Sequence, residues 1–116
     1  MDKEKRLRKN IGKILDEWKP RLWLSDWDIS VSLVKKVDGS ARYVTGACWA
    51  NWQYKEANIQ LKKKQVIEME YDILEKALVH EMVHCLVSEM HDMATDKNHM
   101  EVVVTNLTMA FRRAYK

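Results

Sequence analysis

Glycine and proline are scarce in this chain, with three glycines and one proline among 116 residues. Few tight turns can therefore form, which argues against a sandwich of many short strands and excludes a collagen-like or linker-like polymer. The two cysteines, Cys48 and Cys85, are too few for a disulfide framework. Both sit in apolar segments and are expected to be buried thiols rather than a bridge. No apolar run reaches the ~20 residues that a membrane-spanning helix needs. The charged start, MDKEKRLRKN, lacks the apolar stretch of a signal peptide. An excess of one charge sign is also missing: 20 Lys and Arg stand against 17 Asp and Glu, a net charge of +3. A nucleic-acid binder normally shows a stronger basic bias. The expectation is a soluble cytoplasmic protein whose main partner is neither membrane nor nucleic acid.

Hydrophobic residues make up 47% of the chain, including five Trp and seven Met. A chain of this length forms one domain, residues 1–116, and buries about two-thirds of its unfolded surface. Residues 3–18 are expected to be a helix: Leu7, Ile11, Ile14, Leu15 and Trp18 recur at three and four, and Pro20 marks its end. The period then changes to two. Residues 27–34 alternate as a half-buried strand, 38–40 (Asp-Gly-Ser) form a turn, and 42–50 form a second strand in which Gly46 marks a bulge or close approach. Residues 56–61 are a third, short strand, whose lysine-rich margin at Lys62, Lys63 and Lys64 suits a sheet edge. A long helix is expected over 68–88, a loop over 90–100, and a last helix from about residue 98 or 100 to 114. The fold class is α+β: an N-terminal helix, a small three-stranded mixed sheet, and two further helices packed on one side.

The string His80-Glu81-Met82-Val83-His84 carries the chemistry. Residues four apart on a helix share a face, with Cβ atoms about 5 to 6 Å apart, so both imidazoles can reach one zinc ion. Glu81 lies about 100 degrees round the helix from His80, near enough to hold a metal-bound water and accept its proton. On the same wheel Leu78, Val79, Met82, Val83, Cys85, Leu86 and Val87 fill a broad apolar arc, and Ala77 and Ser88 leave the polar face open. A catalytic zinc needs a third protein ligand and an open position for water. His91, His99 and Glu101 are the candidates, with Asp92 and Asp96 behind them. Thr105 and Thr108 share the side of Glu101 and can hydrogen-bond a ligand. Glu101 can instead close a capping box with Asn98, unless Thr95 or Asp96 is the cap.

His80-Glu81-x-x-His84, followed by a helix opening on Glu101, resembles the zincin metallopeptidases. It looks most like the small glutamate-zincin type found in short phage and bacterial proteins. The resemblance implies a minimal zincin-like fold over residues 23–114, Zn2+ as cofactor, His80, His84 and Glu101 as its ligands, and Glu81 as general base. It also implies a peptide or protein substrate lying antiparallel along the edge strand. That edge would be residues 56–61, including Asn58 and Ile59, with Trp49 and Ala50 of the neighbouring strand. The metzincin variant is disfavoured, because Val87 and Met90 replace its glycine and third histidine.

Donors for a developing oxyanion are sought among His91, Arg112, Arg113 and Tyr115. Arg112 is the better placed of the arginines, since 101, 105, 108 and 112 are helically spaced. Trp18, Trp23 and Trp27 are expected in the core, and Trp49 and Trp52 as cleft walls. So small a chain suggests a homo-oligomer or a partner protein. Two other functions compete with a zinc hydrolase: a zinc-stabilised interaction protein without activity, and a nucleic-acid-binding accessory protein using the N-terminal helix and the 62–64 lysines.

Overall fold

A computed structural model describes residues 2–37, 45–93 and 96–115. The expected turn at 38–40, the first residues of the expected second strand (42–44) and Thr95 lie outside them. The chain opens with α1 (Asp2–Arg21), which buries Leu7, Ile11, Ile14 and Trp18 along one stripe. Pro20 sits inside the last turn rather than beyond it. A proline there removes only one N–H, and later residues close the helix end. Leu24 N–H donates to Lys19 O at 2.8 Å and Trp23 N–H to Pro20 O at 3.3 Å. These bonds form a Schellman motif with Trp23 left-handed at φ 59°. That conformation turns Trp23 outward, 75% exposed, so it is not the core residue expected, whereas Trp18 and Trp27 are buried.

Three strands follow: β1 (Asp28–Val34), β2 (Gly46–Asn51) and β3 (Glu56–Lys62). Their order in the sheet is β1-β3-β2. β1 runs parallel to β3, with Asp28 opposite Glu56, and β2 runs antiparallel to it, with Gly46 opposite Leu61. The segment expected at the sheet edge is thus the central strand. Ala57, Ile59 and Leu61 point into the core at alternate positions; of the lysine run, Lys62 ends β3, and Lys63 and Lys64 open a short helix, α2 (Lys63–Val66). Asn58, on the opposite face, donates to the hydroxyls of Ser30 and Ser32, both at 3.0 Å.

α3 (Tyr71–Leu86) is shorter at both ends than the sequence suggests. It buries Leu74, Leu78, Val79, Met82, Val83 and Cys85. Cys85 and Cys48 of β2 are unbridged thiols whose sulfurs lie 3.1 Å apart. Where the sequence suggests a loop, a one-and-a-half-turn helix, α4 (Ser88–Met93), continues almost directly from α3. His91 N–H donates to Val87 O at 2.8 Å across the join. α5 (Lys97–Ala114) is capped by Asp96, whose side chain accepts from His99 N–H at 3.0 Å.

α5 runs back antiparallel along α3. At its far end Arg112 donates to Glu75 Oε1 at 3.2 Å and to Asp72 O at 3.3 Å. Glu75 also accepts from the Trp18 indole at 3.2 Å, so one carboxylate ties α1, α3 and α5 together. The Arg112 and Glu75 side chains are only 16% and 18% exposed. Removing one partner strands the other in a mostly dry site. Arg112→Ala is expected to cost about 2–4 kcal/mol in urea unfolding, and an unchanged midpoint would deny the clamp this role.

Candidate metal centre

His80 and His84 lie on consecutive turns of α3, and their rings meet edge to face with centroids 5.1 Å apart. Glu101, in the second turn of α5, reaches across to both. His80 Nε2 is 2.7 Å from Glu101 Oε1, and His84 Nε2 is 3.1 Å from Glu101 Oε2. All three ligand-type atoms fall within 4.8 Å of one another. A tetrahedral ion with bonds of about 2.0–2.1 Å would hold its donors roughly 3.3 Å apart, so little movement separates this cluster from a coordination shell. Two imidazoles and a carboxylate suit zinc. The cluster has the geometry of a zincin-type His-Glu-x-x-His site completed by a downstream glutamate. Capping by Asp96 frees Glu101 from the start of its own helix.

Burial sets the protonation states. The His84 side chain is 18% exposed. Burial lowers its pKa, helped by the neighbouring His80 and His91, while Glu101 opposes the shift. A neutral imidazole, the form that binds metal, is favoured. Glu81 is 8% exposed, and its carboxyl is pushed up to about 8, first by burial and then by the charge of Glu101. Gly46 of β2 lies over this carboxylate. A Cβ there would stand 2.9 Å from Gln60 O and 3.5 Å from Glu81 Oε2, so only glycine lets the strand come this close.

A cleft of about 610 Å³ opens beside the cluster, lined by residues 46–50 of β2 and by Glu81, His84, Ser88, His91, Asp92 and Glu101. His91 stands in this cleft with its ring 6.2 Å from that of His84, outside the three-residue cluster. His99 is exposed. Asp92 accepts from the Trp52 indole at 2.9 Å, linking α4 to the end of β2. Thr108 donates to Val104 O of its own helix at 2.8 Å, so its hydroxyl does not support Glu101, and Thr105 is exposed.

Arg112 and Tyr115 are not at this centre. Arg112, about three helical turns beyond Glu101, is held by Glu75 and Asp72, and Tyr115, about four turns beyond it, packs edge-on to Trp18 at 5.8 Å. Trp49 and Ala50 line the cleft. Ile59 does not, because strand alternation sends it into the core, where it is 0% exposed. Asn58 faces a second cleft on the outer side of the sheet, lined also by Trp49 and Ala50. Sequence reasoning named Asp92 only as a lesser candidate ligand and Ser88 only as a small residue on the open face, and both line the cleft. Their signal was helical continuation from His84, hidden by the polar mixture of residues 88–93.

Two outcomes follow from this geometry. Gly46→Ala is expected to destabilise the protein by about 1–3 kcal/mol through overpacking, read as a lowered urea midpoint; an unshifted midpoint would mean that β2 can move away. The second concerns pH in protein kept metal-free with chelator. An acid whose pKa is raised on folding gives up stability as pH climbs from its unfolded value, here 4.5, to its folded value of about 8. His84, lowered on folding from 6.5, loses stability only as pH falls below that value. Between pH ~6.5 and ~8 the Glu81 slope therefore stands alone and should remove on the order of 2 kcal/mol. Glu81→Gln should flatten it, and an equal slope in both proteins would assign the effect elsewhere.

No protein-family model matches the chain, and no curated protein or solved structure matches it at a significant level. The reading of the site therefore rests on its own geometry, which is compatible with metal coordination.

Proposed function

We propose that this protein is a zinc-dependent hydrolase acting in the cytoplasm, a peptidase that cuts peptide bonds with a glutamate as general base. The observation that carries this is the meeting of His80, His84 and Glu101 beside a buried Glu81 at the floor of an open cleft. His80, His84 and Glu101 would hold the ion. Zinc bound there would supply Lewis acidity to a carbonyl oxygen and lower the pKa of a coordinated water. Glu81 would take a proton from the attacking water and later hand it to the departing amine. A carboxyl with a pKa near neutrality suits both halves of that task. His91, which lines the same cleft, is a candidate donor to a developing oxyanion. β2 replaces β3 as the strand against which an extended peptide would lie, since β3 has a neighbour on each side.

A purely structural zinc module would need no carboxyl at the position of Glu81. The nucleic-acid alternative has less support. The lysine run does meet the N-terminal helix, in a groove lined by Lys3, Lys5, Arg8 and Lys63. Three of those cations are engaged, Lys3 with Glu68, and Arg8 and Lys63 with Glu4. Among the described residues, no helix is long and apolar enough to cross a membrane.

Protein purified without a metal-affinity tag should carry close to one zinc per chain. Glu101→Ala should lose most of it, and Glu81→Gln should keep it while kcat on a quenched peptide library falls by roughly 10²–10⁴-fold. Zinc absent from wild type after supplementation near neutral pH would overturn the proposal. Full zinc with activity unchanged in Glu81→Gln would remove Glu81 as the base.

A further inference from the structure

The charges around β2 carry a consequence for the substrate. The cleft beside the metal centre is lined by three acidic residues, Glu81, Asp92 and Glu101, and by no lysine or arginine. A second cleft, of about 490 Å³ on the outer face of the sheet, is lined by Asp28 and Glu56, again with no basic residue. The two clefts meet at Trp49 and Ala50, both on β2. Yet the chain as a whole carries a net charge of +3. Acidic residues thus line both clefts that meet at β2 of a protein that is basic overall.

The outer cleft contains an arrangement that the fold itself does not need. Asp28 and Glu56 sit directly opposite each other on neighbouring strands, about 4.8 Å apart along the hydrogen-bonding direction. Like charges placed so are destabilising. Among the described residues neither carboxylate has an ion-pair partner; the nearby Lys55 is taken by Asp26. Trp49 stands on the same face, 52% exposed, and Asn51 lies opposite Glu56. An exposed indole beside carboxylates is a setting for a cationic side chain.

We propose that the occupant of the β2 edge is a cationic extended peptide, whose Lys or Arg side chains cross Trp49 toward Glu56. This rests on β2 being the substrate-bearing strand of the proposed hydrolase. Every second side chain of a peptide paired with β2 points to the outer face, beside Ala47, Trp49 and Asn51. Its intervening side chains enter the cleft of the metal centre. The Glu56 row lies two strand spacings, about 10 Å, from such a peptide. A stretched Arg side chain and the Glu56 carboxylate span that gap between them. Asp28, one strand farther, contributes field rather than contact. Because the protein's overall charge repels cations, the preference must come from these local groups.

The test uses Glu81→Gln protein, so that binding is read without cleavage. The probe is an end-blocked, fluorophore-labelled dodecapeptide of alternating Thr and Arg, compared with versions carrying Gln or Glu in place of Arg. Anisotropy titration at about 20 mM salt should show the Arg peptide binding roughly three- to tenfold more tightly than the Gln peptide, with the ratio shrinking at about 0.5 M salt. Adding Asp28→Asn and Glu56→Gln together should erase the preference. Asp28→Lys with Glu56→Lys should turn it toward the Glu peptide, with thermal melts confirming that both variants fold. Equal binding of Arg and Gln peptides, or a preference that survives both double variants, overturns the proposal. Zinc content measured on the same preparations keeps the two questions apart. A charge preference in protein that holds no zinc removes the hydrolase but leaves a basic-peptide surface, whereas zinc without a charge preference does the reverse.

Discussion

The antiparallel packing of α5 on α3 is the constraint on which the rest depends. His80 and His84 come together by helical spacing alone, but Glu101 is seventeen residues beyond His84 and meets them only if α5 returns along α3 in one register. That register is held at both ends. Glu101 touches the two histidines at one end, and Arg112 grips Glu75 and Asp72 O at the other. Met100, Val104 and Thr108 are buried along the stripe between. A one-residue shift of α5 would rotate Glu101 by about 100 degrees and expose that stripe. Apolar burial therefore sets the geometry of a polar site, and the Glu75 clamp keeps the far end from sliding.

Holding that geometry costs free energy locally. Glu81 and Glu101 are like charges brought close, and Glu81 and His84 are largely removed from water. Their shifted pKa values record the cost: Glu81 raised toward neutrality, His84 lowered. Gly46 adds a further constraint, since a side chain there would clash with Gln60 O and Leu61 of the neighbouring strand. Proteins relax local rules of this kind mainly at functional sites, and the core elsewhere offsets the loss. Here α3 supplies both. Leu74, Leu78, Val79, Met82 and Val83 anchor it on several sides, which is why its apolar arc is broader than a surface helix requires.

What could be read beforehand divides along the range of the interactions involved. The α1 stripe and the His-Glu-x-x-His face depend on neighbours within one or two helical turns and were legible, whereas the choice between Glu101 as cap or as free carboxylate stayed open and is decided by Asp96 capping α5. The α+β class followed from the change of period. Strand order was not legible: β3 is central because β1 pairs with it in parallel across a crossover, a contact between segments more than twenty residues apart. Its flanking lysines suggested an edge, although Ala57, Ile59 and Leu61 already carried the alternation of a one-face-buried strand. Trp23 was misjudged because residue type says core while its left-handed backbone at a helix end says solvent. Residues 90–93 passed for a loop because their helix is stabilised from outside, by Trp52 on Asp92 and by continuation from α3.

The way β2 is held bears on how a site can exist in so small a chain. On one side it pairs with β3. Underneath, Cys48 meets Cys85 of α3, and beyond its end Trp52 bonds Asp92 of α4. Three separate attachments fix a strand whose remaining edge has no partner among the described residues. A bare strand edge normally invites aggregation and is blunted by charge or by a covering loop. Here it is supported and next to the His80, His84 and Glu101 cluster. Under the proposed function, an extended peptide would be recognised by main-chain pairing along this edge and by side chains reaching to either face of the sheet. Affinity obtained that way is spread over many weak contacts, and selectivity then falls to the few charged and aromatic groups that flank the edge.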